Sequence, residues 1–260
     1  MPTTSDHLAT LRRLERETPE AAPRAFRRIT HGSFTILYQR ARATADRLLT
    51  DAEALREQLL VRYSGNTAPK TWSPKCQIYL YDRMRELNVG RHGYHIAGSG
   101  SSRASRLSPG LTLSRTISLA ADDPELSSTL AHELTHVIFA ELLGRHPPSW
   151  ANEGLARLAE SPQNIQRSRR LVRRAVASGD HFRLAELIAF YRPPDQATQL
   201  FYSQSADLVR FLLQRRDYPT FIGFIADLQS SEVDAALNKH YGVVDLAELE
   251  RAWLAQFAVR

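Results

Sequence analysis

The pentapeptide His132-Glu133-Leu134-Thr135-His136 constrains this chain more than any other stretch. On an α-helix, residues i and i+4 stand one above the other on a single face, so two imidazoles at that spacing can converge on one metal ion. Glu133 projects about 100° round the helix from His132. It flanks such an ion rather than ligating it, which suits a base acting on water beside the metal. Asp122-Asp123-Pro124 reads as the start of the helix, with a capping aspartate, a proline in the first turn and Glu125 near the positive end of the dipole; Gly144 reads as the stop. The motif helix is therefore expected over 123–143. On a helical wheel Leu126, Leu130, Leu134, Val137, Ile138 and Leu142 share one half, while His132 and His136 lie on the other with Phe139 and Leu143. A helix apolar on two sides must be largely buried, and its histidines must face a second packed surface.

A metal site of this kind needs a third protein ligand and an open fourth position. Two residues downstream offer one. His146 lies just past Gly144, before Pro147-Pro148, and reads as a loop or cleft-wall histidine. Glu153 lies in Trp150-Ala151-Asn152-Glu153-Gly154-Leu155-Ala156. The proline pair reverses the chain, and Ser149 can cap a new helix that returns beside the first. Glu153 is close to Trp150 on that helix, so a core-facing Trp carries the carboxylate toward the histidines, and Gly154 lets the two backbones approach. Glu153 is the expected third ligand.

The rest of the chain supplies the setting. Residues 1–24 read as a peripheral arm: a short helix over 5–17, then a proline-containing linker. Phe34, Ile36 and Tyr38 alternate with polar residues as a half-buried strand, with a turn at His31-Gly32 before it. Residues 41–63 carry Ala45, Leu48, Leu49, Ala52, Leu55, Leu59 and Leu60 at helical spacing, ended by Ser64-Gly65-Asn66. Cys76–Tyr81 is a second strand with a short helix to about Leu87. Gly90–Gly110, rich in Gly, Ser and Arg, reads as hairpins and a mobile loop around a short strand at Tyr94–Ala97. Thr116–Leu119 is a further strand. After the motif helix the pattern is helical throughout, with helices expected over 149–160, 163–178, 198–215, 218–229, 232–240 and 245–257. Strands first and helices later predict an α+β fold: a mixed N-terminal lobe over 25–122 and a helical C-terminal lobe over 147–260, joined by the motif helix in one domain of 25–260.

Composition narrows the remaining possibilities. The single cysteine, Cys76, excludes an intramolecular disulfide and a tetracysteine zinc site. A net charge of +6 over 260 residues permits acidic partners without demanding nucleic acid. No apolar run approaches the about 18 residues of a membrane span, and the polar N-terminus lacks the apolar core of a signal peptide. As written the chain reads as soluble and cytoplasmic, or exported if a leader has been removed.

His-Glu-Leu-Thr-His followed by Trp-Ala-Asn-Glu-Gly-Leu-Ala resembles the gluzincin metallopeptidases, and within them the peptidase MA-like group. Phe201-Tyr202-Ser203-Gln204-Ser205-Ala206, with Leu208–Leu212, resembles the tyrosine-bearing helix of that group. Ala235-Ala236-Leu237, Tyr241-Gly242 and Leu249–Trp253 resemble its C-terminal end. The likeness covers roughly residues 30–258 and is weak before 110. It implies a zincin-like fold, one zinc ion on His132, His136 and Glu153, Glu133 as base and proton shuttle, and Tyr202 as a donor to the oxyanion. There are departures. Thermolysin-like enzymes have an aspartate four residues after the ligand glutamate, where this chain has Arg157, so the partner of the histidines is open. The G-x-M-E-N segment with which aminopeptidases hold a substrate amine is missing, which argues against that class.

The expected chemistry is peptide-bond hydrolysis on a peptide or protein substrate, with the strand at Thr116–Leu119 as an edge for extended substrate. A zinc hydrolase acting on another bond, or a weakly active binding relative, is the alternative. A nucleic-acid-linked protease is a further one, raised by Arg167, Arg169, Arg170, Arg173 and Arg174. No aromatic residues interleave with them for base stacking, so a solvated basic face is the expectation there.

Overall fold

The computed structural model describes residues 26–66, 71–89, 100–108 and 111–258, and among these five strands form one mixed sheet accompanied by ten α-helices. The N-terminal arm and the strand expected at Tyr94–Ala97 lie outside the described residues. In chain order, β1 (Arg27–His31) and β2 (Phe34–Tyr38) form a hairpin, followed by α1 (Arg42–Ser64), β3 (Cys76–Tyr81), α2 (Met84–Val89), β4 (Gly100–Ser108) and β5 (Leu111–Ala120). The motif helix α3 (Leu126–Leu143) comes next. Then follow α4 (Ser149–Leu158), α5 (Pro162–Ser178), α6 (Leu184–Ala189), a 3-10 turn at Asp195–Ala197, α7 (Thr198–Leu213), α8 (Tyr218–Asp227), α9 (Val233–Tyr241) and α10 (Leu246–Ala258). Strands first and helices after make this an α+β fold.

The sheet runs β1-β2-β3-β5-β4. β2, β3 and β5 are parallel to one another, while β1 and β4 are antiparallel additions at the two edges. The central strands bury one face in strict alternation: Phe34, Ile36 and Tyr38 on β2, and Cys76, Ile78 and Leu80 on β3. That period of two dictates the register, since a slip of one residue would turn each apolar set to solvent. α1 and α3 pack against each other beside this sheet, and the same continuous core extends through α4 and α7 to Trp253 on α10.

Several expectations are corrected here. β5, which contains Thr116–Leu119, is not an edge: it lies between β3 and β4. The edge is β4, in a stretch that reads as loop. Gly100-Ser101-Ser102-Arg103-Ala104 has no apolar alternation because it is an outer strand whose pairing comes from the β5 backbone, from Gly100 opposite Leu119 onward. The hairpin from β4 to β5 therefore places β4 outermost. The motif helix also begins at Leu126, three residues later than the expected start at 123. Asp123 still serves the turn before it, accepting from the Glu125 amide at 2.9 Å and the Thr129 hydroxyl at 2.6 Å. Ser149 opens α4 without capping it, the cap position being Pro148.

Three polar ties fix α3 relative to its neighbours. The Tyr63 hydroxyl on α1 lies 3.1 Å from the Thr135 hydroxyl, which itself donates to the Ala131 carbonyl one turn back at 2.8 Å. Arg115 on β5 grips Glu141 through two N–H groups, at 3.1 and 2.7 Å, and reaches the Pro74 carbonyl at 2.6 Å with its third nitrogen. Its guanidinium also sits 4.5 Å from the centre of the Trp72 ring. Ser128 near the start of α3 accepts from the Ser161 amide at 2.9 Å, tying the α4–α5 link to the motif helix.

A fourth tie closes the β1–β2 turn. Gly32 holds φ +50°, and a Cβ there would collide with the Glu53 carboxylate. That carboxylate accepts from the Ser33 amide and hydroxyl, and from Arg56, whose guanidinium is buried. Burial pushes the Glu53 carboxyl up, but Ser33 and Arg56 together hold it below its ordinary 4.5. A depressed folded pKa means that the contribution is complete above about pH 4.5 and is lost as pH falls through the folded value. Glu53→Gln is expected to cost about 1–3 kcal/mol at neutral pH and to flatten the acid limb of stability. Chemical denaturation across pH 3–7 reads both; an unchanged acid limb would sink the assignment.

Candidate metal centre

His132 and His136 stand one turn apart on α3, and Glu153 faces them from α4. The Trp150 anchor explains how. Its ring is 2% exposed and packs edge-on to Phe221, with centroids 6.5 Å apart, which orients the first turn of α4 into the core. Gly154 sets the depth on the opposite side. A Cβ there would lie 2.6 Å from the Ser205 carbonyl oxygen and from Val209 on α7, so only glycine lets α4 sit so close.

The Nε2 atoms of the two histidines are 3.1 Å apart. Each also faces Glu153 Oε2, at 3.6 Å from His132 and 3.7 Å from His136. These three side chains form the one group among the described residues with the donor set and spacing to hold a metal ion. Four tetrahedral ligands at about 2.0–2.1 Å from zinc stand about 3.3–3.4 Å from each other, close to the separations found here. Two imidazole nitrogens and a carboxylate oxygen converging on one point suit a cation, and zinc takes this donor set. His146 lies outside the group and lines the cleft wall.

The partner of His132 is Glu160. Its Oε1 accepts from His132 Nδ1 at 2.8 Å, which orients Nε2 toward His136 and Glu153. Arg157 holds Glu160 in turn, at 3.2 Å. The position four residues after Glu153 thus holds the arginine that clamps this carboxylate. Glu160 follows Glu153 by seven residues and sits just past the end of α4, in the bend that leads to α5, where helical spacing gives no signal for it. His136 has no such orienting group: its Nδ1 is buried without a hydrogen-bond partner among the described residues. Burial pulls His132 down, but Glu153, Glu160 and Glu133 carry it up to about 10 in the metal-free protein. Burial raises Glu153 and Glu160 as well, yet the neighbouring cations hold both below the usual carboxylate range. Glu160→Ala is expected to weaken zinc binding by about 10–100-fold, read by competition with a chromogenic chelator. Unchanged affinity would remove Glu160 from the site.

Glu133 is buried beneath the first residue of β4. A Cβ at Gly100 would come within 2.9 Å of its Cγ and Oε1 and 2.7 Å from Thr129. In sequence, a glycine in a Gly/Ser-rich stretch such as Gly100 carries no sign of what lies under it. Tyr202, on α7, lines the same cleft, with the Arg157 guanidinium 5.4 Å from its ring centre. Burial first, then the Glu153 charge, push its phenol up to about 12, so it is a neutral donor at physiological pH. The cleft measures about 740 Å³ and brings β4, Glu133, the two histidines, Glu153 and Tyr202 onto one surface.

The two-histidine helix and the returning glutamate helix meet in one cleft beside the mixed sheet. The family model of the Peptidase MA superfamily matches residues 115–259, and the chain belongs to that superfamily. No match is found among curated proteins. No helix among the described residues is long and apolar enough to cross a membrane.

Proposed function

We propose that the protein is a zinc-dependent endopeptidase, and the observation that carries this is the convergence of His132 Nε2, His136 Nε2 and Glu153 Oε2 beside a buried Glu133. His132, His136 and Glu153 would hold the ion. When bound, zinc supplies a Lewis acid that acidifies water and polarises a carbonyl. The chain's own groups do the rest. Glu133 takes a proton from the attacking water as its oxygen bonds to the scissile carbon, and returns that proton to the nitrogen as the C–N bond breaks. The Tyr202 phenol donates to the carbonyl oxygen as it gains negative charge. Among the described residues β4 is the outermost strand beside the cleft, where an extended peptide can add as a further strand. Glu160 and Arg157 keep His132 in the tautomer that ligation needs.

Support for an endopeptidase comes from the cleft's shape. It continues past Asp123, Pro124, Glu125 and Ser128 into a second groove of about 530 Å³, leaving room for chain on that side of the centre. The test is cleavage of an unstructured protein substrate with zinc, with a chelator, and with zinc restored. The expected result is internal cleavage that is lost and regained; cleavage indifferent to chelator, or none by zinc-loaded protein, contradicts the reading.

Gly100→Ala probes the base directly. The added methyl must displace the Glu133 carboxylate or the strand above it. Turnover is expected to fall by about 10–100-fold while zinc stoichiometry stays at one, because misplacing a reacting group by about 1 Å costs on that order. Full turnover in the variant would show that Glu133 is free to move and that Gly100 does not position it.

A further inference from the structure

α5 carries Arg167, Arg169, Arg170, Arg173 and Arg174 and no acidic residue. All five side chains are exposed. Arg167 pairs with Glu125 at 3.6 Å and reaches Asn164 at 3.2 Å, whereas Arg169, Arg170, Arg173 and Arg174 have no ion-pair partner among the described residues. Like charges at i, i+4 destabilise a helix, and this one has two such pairs, 169/173 and 170/174. On the wheel Arg167, Arg170 and Arg174 form a single ridge, with Arg173 beside it. The buried face of the helix, Ser168, Val172 and Ala175, is opposite.

The ridge starts at the cleft. Arg167 lines the second groove, which shares Asp123, Pro124, Glu125 and Ser128 with the groove that holds the metal-binding group. From Arg167 to Arg174 the helix rises about 10 Å, the span of about three residues of extended chain. A peptide leaving the centre through the second groove therefore meets Arg167 and, beyond it, the guanidinium groups of Arg170, Arg173 and Arg174, which have no ion-pair partner among the described residues and match carboxylates bidentately.

We propose that the arginine ridge of α5 is an exosite for an acidic segment of the substrate, a few residues away from the bond that is cut. This rests on the peptidase reading for the role of the segment, but the binding itself does not. Charge complementarity and continuity with the cleft favour an acidic polypeptide; the face has no aromatic side chain on which nucleic-acid bases would stack.

Two measurements on the full chain test it. In the first, a labelled peptide of about eight glutamates is titrated into the zinc-loaded Glu133→Gln protein and compared with a serine peptide of equal length. Tighter binding of the acidic peptide by about tenfold is expected at low salt, fading as the Debye length shrinks to about 3 Å near 1 M. Arg170→Glu/Arg174→Glu should abolish the difference, and Arg170→Gln/Arg174→Gln should reduce it, with circular dichroism confirming the fold of each. In the second, zinc-loaded wild type cleaves one scissile sequence bearing either tail, and the ratio of kcat/KM is expected to favour the acidic tail by about tenfold and to fall to about one in the charge-reversed variant. Equal binding of both tails, or a preference that survives charge reversal, overturns the proposal. So does tighter binding of a DNA oligonucleotide of equal charge, which would assign the ridge to nucleic acid. Binding with a kcat/KM ratio of one overturns the substrate role. If neither peptide is cleaved while arginine-dependent binding stands, the peptidase reading has failed and the acidic-segment site is supported on its own.

Discussion

Replacing Glu133 with glutamine is expected to lower kcat for peptide cleavage by about 10²–10⁴-fold, the range for losing a positioned acid–base group. The glutamine amide has nearly the same shape, so the pocket beneath Gly100 stays filled and α3 keeps its packing. It cannot accept the proton of the attacking water. Because Glu133 stands outside the metal-binding group, the variant should bind one zinc per chain with wild-type affinity and unfold at the wild-type temperature. That combination separates a base from a ligand. Zinc lost along with activity would place Glu133 among the ligands, and activity retained would remove it from the chemistry.

Glu153→Ala is expected to have the opposite signature. The carboxylate faces both histidine Nε2 atoms, at 3.6 and 3.7 Å, so its loss leaves two imidazoles and no third ligand to hold a dication. Zinc affinity should drop by more than the about 10–100-fold that loss of an outer partner such as Glu160 costs, and activity should vanish at stoichiometric zinc. Trp150, 2% exposed on the same helix, remains to anchor α4 in the variant. Secondary structure and the α4–α7 packing should therefore survive. Isothermal titration with zinc reads the affinity, and tight one-to-one binding by the variant would mean that the third ligand lies elsewhere.

Much of this architecture is legible in sequence because helical and strand periods are imposed by burial. β2 and β3 alternate because one face of each is in the core, and α1 shows its apolar stripe for the same reason. The motif helix, buried on two sides, carries apolar residues around the histidines as well as opposite them. The features that escape are those in which position comes from a neighbour. β4 has the composition of a loop, and its strand conformation is lent by β5. The identity of the edge follows from that hairpin, not from any property of Thr116–Leu119. Buried Arg56 and Arg115 look like surface residues until Glu53, Glu141 and Trp72 are placed around them.

The candidate site divides along the same line. Spacing within a helix singles out His132, Glu133 and His136, and the Trp-x-x-Glu-Gly segment singles out Glu153. Glu160 escapes because its carboxylate comes from just past the end of α4, with Arg157 as its clamp. Gly100 escapes because its role is to lack a side chain above Glu133.

The central claim is that one divalent ion is held by these three side chains together. Crystals of the zinc-loaded protein, measured on both sides of the zinc absorption edge, test it most directly. The account predicts a single anomalous peak per chain, bonded at about 2.0–2.2 Å to Nε2 of His132, Nε2 of His136 and an oxygen of Glu153, with a fourth position open to the cleft. A peak on other residues, or a protein that takes up no zinc, would contradict it.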